Sequence, residues 1–186
     1  MGSSSPPTVI RAPGRLVMAP TDLSIAFPYG GTELGSVRMV TWQKYAVDFA
    51  LTAEEFGFEP VEFNQAGEVY GLGAFMRGVD DDVVGSLFPN TSTGATSQHK
   101  VVTWPGANRA GSWRSAAGVK LLFAPYNTRD VDAIIMYRAV PMVEASARVP
   151  LEWVEEYGFP AVFAGIRDAS GNGGQKCRLS DMTVSP

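Results

Sequence analysis

Alternation of apolar and polar positions, rather than helical periodicity, dominates this sequence. Over residues 45–52, Tyr45, Val47, Phe49 and Leu51 fall on one face and Ala46, Asp48, Ala50 and Thr52 on the other, the period of a half-buried strand. Residues 34–42 alternate likewise, with Val37, Met39 and Thr41 opposed to Arg38, Val40 and Trp42. Residues 62–65 and 68–76 read as a hairpin turning at Ala66-Gly67. In its second strand Val69, Gly71, Gly73 and Phe75 oppose Tyr70, Leu72, Ala74 and Met76. Two glycines inside that pattern mark a bulge or a close approach of backbone.

Three further runs are predominantly apolar and read as strands: residues 119–124, 133–139 and 159–166. The last two are bounded by Asp132 and Pro141, and by Gly158 and the turn cluster Arg167-Asp168-Ala169-Ser170-Gly171. They form the floor of an antiparallel sheet. Shorter strands follow from residues 101–104 and 143–150, and an edge strand from 176–184. One helix is predicted over residues 79–88. Asp80, Asp81 and Asp82 cap its N-terminus, Val83, Val84, Leu87 and Phe88 share a face, and Pro89 ends it. Consecutive carboxylates lack the alternating spacing and turn glycine of a calcium loop. The fold expected is mainly β: an antiparallel β-barrel or sandwich with one short flanking α-helix. A flexible arm covers residues 1–15, and a single domain covers 16–186 with a polar excursion over 90–118.

Composition narrows the function. The chain has 186 residues and 45% hydrophobic positions, enough for one sizeable core. No apolar run approaches the ~20 residues that span a bilayer, so no membrane role is expected. The first residues lack the basic and apolar regions of a secretory signal. A net charge of −4 opposes binding by phosphate neutralisation. It suits a surface that nucleic acid passes without sticking. The single cysteine, Cys177, forms no internal disulfide and fits a reducing compartment.

Candidate chemistry is sparse. Phosphate-binding, dinucleotide, zinc-protease and nucleophile-elbow motifs are absent from the sequence, as are paired cysteines. Adjacent carboxylates such as Glu54/Glu55 and Glu155/Glu156 do not face each other across a cleft as a glycosidase requires. His99, the only histidine, has no nucleophile or second ligand nearby in sequence. No catalytic residue, metal or cofactor is therefore expected, and the chain reads as a non-enzyme. Trp104 and Trp113, interleaved with Arg109, Arg114 and Lys120, are the nearest thing to a basic-aromatic patch, and read first as a protein contact. A sugar-binding sandwich using the two tryptophans is the less favoured alternative. Residues 54–63 and 155–163 echo each other, an acidic pair and an aromatic-Gly-Phe leading into a strand.

The C-terminal order carries a resemblance. A strand before Tyr137-Arg138-Ala139 is followed by Glu144-Ala145-Ser146, Glu155-Glu156-Tyr157-Gly158, an aliphatic strand, Arg167-Asp168 and a glycine turn. This is similar to the closing half of tail tube proteins of long-tailed bacteriophages. The strand 68–76 running into Arg77-Gly78 and then a short helix fits the same order. The resemblance implies a structural virion protein, assembled in the host cytoplasm into hexameric rings that stack into a tube for DNA ejection. Its implied partners are further copies of itself, the terminator, tape measure and distal tail proteins, and passing double-stranded DNA. Expected inter-subunit contacts are Pro6, Pro7, Ile10, Arg11, Trp104, Arg109, Trp113 and Arg114; expected lumen-facing acids are Asp48, Glu62 and Glu68. Tail terminator, neck ring and capsid-decoration roles are the related alternatives.

Overall fold

A computed structural model describes residues 8–10, 12–52, 60–77, 92–95, 100–103, 118–142 and 158–185, with side chains described within 12–44, 68, 70–77, 118–142 and 160–185. Ten strands account for most of it: β1 (Thr8–Ile10), β2 (Gly14–Met18), β3 (Thr32–Thr52), β4 (Pro60–Arg77), β5 (Ser92–Ala95), β6 (Lys100–Thr103), β7 (Val119–Pro125), β8 (Ala133–Pro141), β9 (Gly158–Gly165) and β10 (Gly174–Cys177). The antiparallel order β3-β2-β7-β8-β9-β4, closed by pairing of β3 with β4, makes a six-stranded barrel. β1 adds outside β3, β10 adds beside β8, and β5 and β6 form a separate two-stranded sheet.

The inward faces fill the barrel. Leu16, Leu34, Val37, Val40, Leu72, Met76, Leu121, Phe123, Ile134, Met136 and Phe163 pack there, each no more than 3% exposed. Burial of such side chains stabilises by roughly 1.5–3 kcal/mol each. β8 is apolar on both faces because both are covered. Ile134 and Met136 point into the barrel, while Ala133, Ile135 and Tyr137 join Val17, Leu122 and Met182 in an outer cluster. Leu23, Phe27 and Tyr29 cover that cluster from one side, Leu179 and Val184 from the other. The Tyr137 hydroxyl donates to the Thr183 carbonyl at 3.4 Å. By contrast, Pro160 and Val162, on the outward side of β9, are exposed.

Several sequence expectations need correction. Residues 34–42 and 45–52 are parts of one 21-residue strand, β3. Its faces are not the simple alternation expected. Register slips opposite Leu16/Val17 and between Arg38 and Thr41, with Gly35 at φ 124° and Met39 at φ 55°, reset the phase. Val37 and Val40 therefore both point inward, while Met39 is thrown out to 63% exposure. Left-handed backbone at a residue other than glycine costs about 1–2 kcal/mol, and the slip exchanges Met39 for Val40 on the buried face.

The hairpin expected at Ala66-Gly67 does not exist: β4 runs through it. Val47 pairs with Gly67 and Asp48 with Gln65, so Ala66 is an extra residue in a bulge. Residues 1–15 do not run throughout as a free arm. Thr8–Ile10 pairs with Val40–Trp42, and Gly14 and Arg15 already belong to β2. Within the excursion 90–118, Ser92–Ala95 is a strand paired with Lys100–Thr103. The expected edge strand over 176–184 is short: β10 ends at Cys177 and a 3-10 turn, Leu179–Asp181, follows. That turn is the helical element among the described residues; the helix expected over 79–88 and the strand expected over 143–150 lie outside them.

Candidate functional site

Two features stand apart from the barrel and meet at one place. The first is a ribbon. β3 pairs with β2 through Val37 and with β1 through Trp42; β4 pairs with β9 only from Tyr70 onward. Between them, residues 43–52 and 60–69 pair solely with each other among the described residues. About nine residues of extended chain carry this ribbon some 30 Å beyond the barrel. Among the described residues nothing pairs with either outer edge of this ribbon, and an isolated two-stranded ribbon is marginal in water.

The second feature is a cleft of about 270 Å³ at the ribbon's root. Trp42, Lys44, Glu68 and Tyr70 line one wall, Arg167 and the backbone of Gly171, Asn172, Gly173 and Gly174 the other. Tyr70 is fixed there. Its hydroxyl donates to the Ile166 carbonyl at 2.6 Å. Its ring occupies the space that side chains at Gly165 and Gly173 would need: a Cβ at Gly165 would lie 1.8 Å from Cε2. Trp42 stands beside it with ring centroids 6.0 Å apart and planes inclined by 39°.

The opposite wall is equally set. β9 and β10 both pair with β8, and the loop between them is an insertion into that course. Asp168 Oδ1 accepts from the backbone N–H of Ser170 at 2.9 Å and of Asn172 at 2.8 Å; the Asp168 N–H donates back to the Asn172 carbonyl. Lys44 Nζ lies 3.0 Å from Glu68 Oε1. Arg167 has no ion-pair partner among the described residues. The cleft thus offers two aromatic faces, an exposed guanidinium and a lysine whose charge is shared.

A separate cluster lies where β2, β3 and the residue after β7 meet. The Arg15 guanidinium sits 4.6 Å from the Phe27 ring and 5.2 Å from the Tyr126 ring. Its Nε donates to the Tyr126 hydroxyl at 3.3 Å and lies 3.6 Å from Glu33 Oε1. The Tyr126 hydroxyl is also 2.9 Å from Ser36 Oγ. The hydrogen bonds with Ser36 and Arg15 lower the pKa of Tyr126, whereas burial, with the Asp168 charge, raises that of Tyr70.

These opposite shifts predict an order of ionisation. A phenol held above its ordinary value near 10 contributes stability below that pH and loses it as pH rises through the raised value. Tyr70 therefore destabilises the fold when alkali finally reaches it; Tyr126 ionises first and without that penalty. In a phenolate absorbance titration, Tyr126→Phe should remove an early component and Tyr70→Phe a late one. The reverse assignment would refute the roles given to the two hydrogen-bonding environments.

Of the residues expected from sequence to matter whose side chains are described, Glu68 lines the cleft, as the partner of Lys44. The backbones of Asp48 and Glu62 lie on the ribbon, and their side chains fall outside the description. Ile10 pairs with Val40 through β1. Pro6, Pro7, Arg11, Trp104, Arg109, Trp113 and Arg114 lie outside the described residues. Trp42, Lys44, Tyr70 and Arg167 were not singled out. The signal available for Tyr70 was the pair Gly165 and Gly173, which leaves room for a ring. Among the described residues no group of three His, Cys, Asp or Glu side chains could hold a metal ion, and no helix is long and apolar enough to cross a membrane. No protein-family model matches the chain, and no curated protein matches it.

Proposed function

We propose that this chain is a self-assembling structural subunit of a virion, forming rings that stack into the tail tube of a long-tailed bacteriophage. The observation that carries the reading is the ribbon. It extends two sheet edges, unpaired among the described residues, from a barrel whose own strand order is closed, and neighbouring copies satisfy such edges by pairing with them. Three further points support it. The order of motifs resembles tail tube proteins. The net charge of −4 repels DNA phosphates, as a conduit requires. The barrel interior is packed with apolar side chains and leaves the subunit's outer surfaces to do the work.

Negative-stain electron microscopy of the purified chain tests this directly. Stacked rings or hollow tubes are the expected result. Closed single rings would move the role to a terminator or neck protein. A monomer at every concentration, with affinity on a glycan array, would overturn self-assembly and favour sugar binding at the Trp42–Tyr70 pair.

A further inference from the structure

The cleft at the ribbon's root has a composition that calls for a particular occupant. One wall is aromatic, and the two together carry two cations against one lining carboxylate, which Lys44 already pairs. An acidic segment bearing aromatic side chains complements it in charge and in shape of contact. The chain contains such a segment. Residues 53–59 read Ala-Glu-Glu-Phe-Gly-Phe-Glu, with Glu54, Glu55 and Glu59 around Phe56 and Phe58. They join Thr52 to Pro60, the last pair of the ribbon.

This segment cannot reach the cleft of its own chain. From the pair Trp42–Leu72 at the root to Thr52–Pro60 at the far end, β3 is continuous and extended. Ten residues at about 3.3 Å each hold the two some 33 Å apart. The occupant therefore belongs to another molecule. We propose that residues 53–59 of one copy dock in the Trp42–Lys44–Tyr70–Arg167 cleft of the next. This deepens the assembly reading above and rests on it. Tip and root are different surfaces, so the contact is head-to-tail, the kind that closes into rings where its rotation closes and otherwise runs on from ring to ring. The cleft is pre-organised for the purpose: Tyr70 is clasped by two glycines, and the Asp168 loop is bonded to itself, so docking orders little on the receiving side.

Complementary charge reversal tests the proposal on the full-length chain. Arg167→Glu makes the cleft repel an acidic tip, and Glu54→Lys with Glu55→Lys makes the tip repel a basic cleft. Each variant alone should need at least about tenfold more protein to assemble in sedimentation velocity. Mixed one to one, the two should co-assemble near the wild-type concentration, because each then meets a complementary surface. Misfolding cannot produce that rescue, and thermal melts of each variant confirm the fold. Glu155→Lys with Glu156→Lys, in the echo of the same sequence, should give no rescue with Arg167→Glu. Wild-type assembly by either variant alone, no recovery on mixing, or rescue by the 155/156 pair would overturn the docking while leaving self-assembly standing. A wild-type chain that never assembles would overturn both.

Discussion

Replacing residues 47–67 with an Asn-Gly turn is expected to abolish self-association and leave the barrel folded. The cut joins Ala46 to Glu68, which are register partners, and a two-residue turn of that sequence suits antiparallel strands. Every pairing of β3 with β1 and β2, and of β4 with β9, lies outside the removed piece. Lys44, Glu68 and the barrel core are kept. What is lost is the free edge. If a neighbour forms about five backbone hydrogen bonds along one side, each contributing ~1 kcal/mol, the loss is roughly 5 kcal/mol. That is at least a thousandfold in association constant. Sedimentation velocity and electron microscopy read the outcome. A shortened chain that still builds objects of the wild-type form would show that the ribbon has no part in assembly.

The largest expected effect on stability comes from Phe123→Ala. Phe123 has no exposed surface and sits in β7 between Leu16 of β2 and Ile134 of β8. Its ring fills the space over Gly14, where a Cβ would lie 2.5 Å from Cε2. Removing it leaves a cavity that paired strands on both sides hold open, so a loss of about 3–5 kcal/mol is expected. Against a total of roughly 5–15 kcal/mol for a domain, that is a large fraction. Urea denaturation at one fixed protein concentration measures it, since association adds to apparent stability. Val162→Ala, on the bare outer face, should shift the midpoint by less than about 0.5 kcal/mol. Equal effects at the two positions would mean the barrel interior is not the principal core.

The parts of the fold that were legible in the sequence are those in which apolar residues run consecutively. β7, β8 and β9 are short apolar runs with turn signals at their ends, and their limits were close to those found. β2 was missed because Pro13 and Gly14 look like linker; its strand character comes from pairing with β3 and β7, which no local pattern records. The β3–β4 pair was recognised as strand but divided in the wrong places. Ala66-Gly67 has turn chemistry, yet pairing on either side carries the chain straight through as a bulge. Met39 shows the same thing from the opposite side: an apolar residue in phase for the core is expelled by a left-handed backbone. The cleft was legible only through Glu68. Trp42 and Tyr70 come from different strands, and Arg167 from a loop about a hundred residues away, so no local spacing unites them.

The filled barrel bears on what any assembly of this chain can conduct. With Phe123, Met136 and Leu72 occupying its axis, one molecule has no hole to lend. The width of a passage would then be decided by how many copies stand around it, and its chemistry by outward-facing residues alone. Changes to the interior would weaken each stave without altering the calibre of the cask.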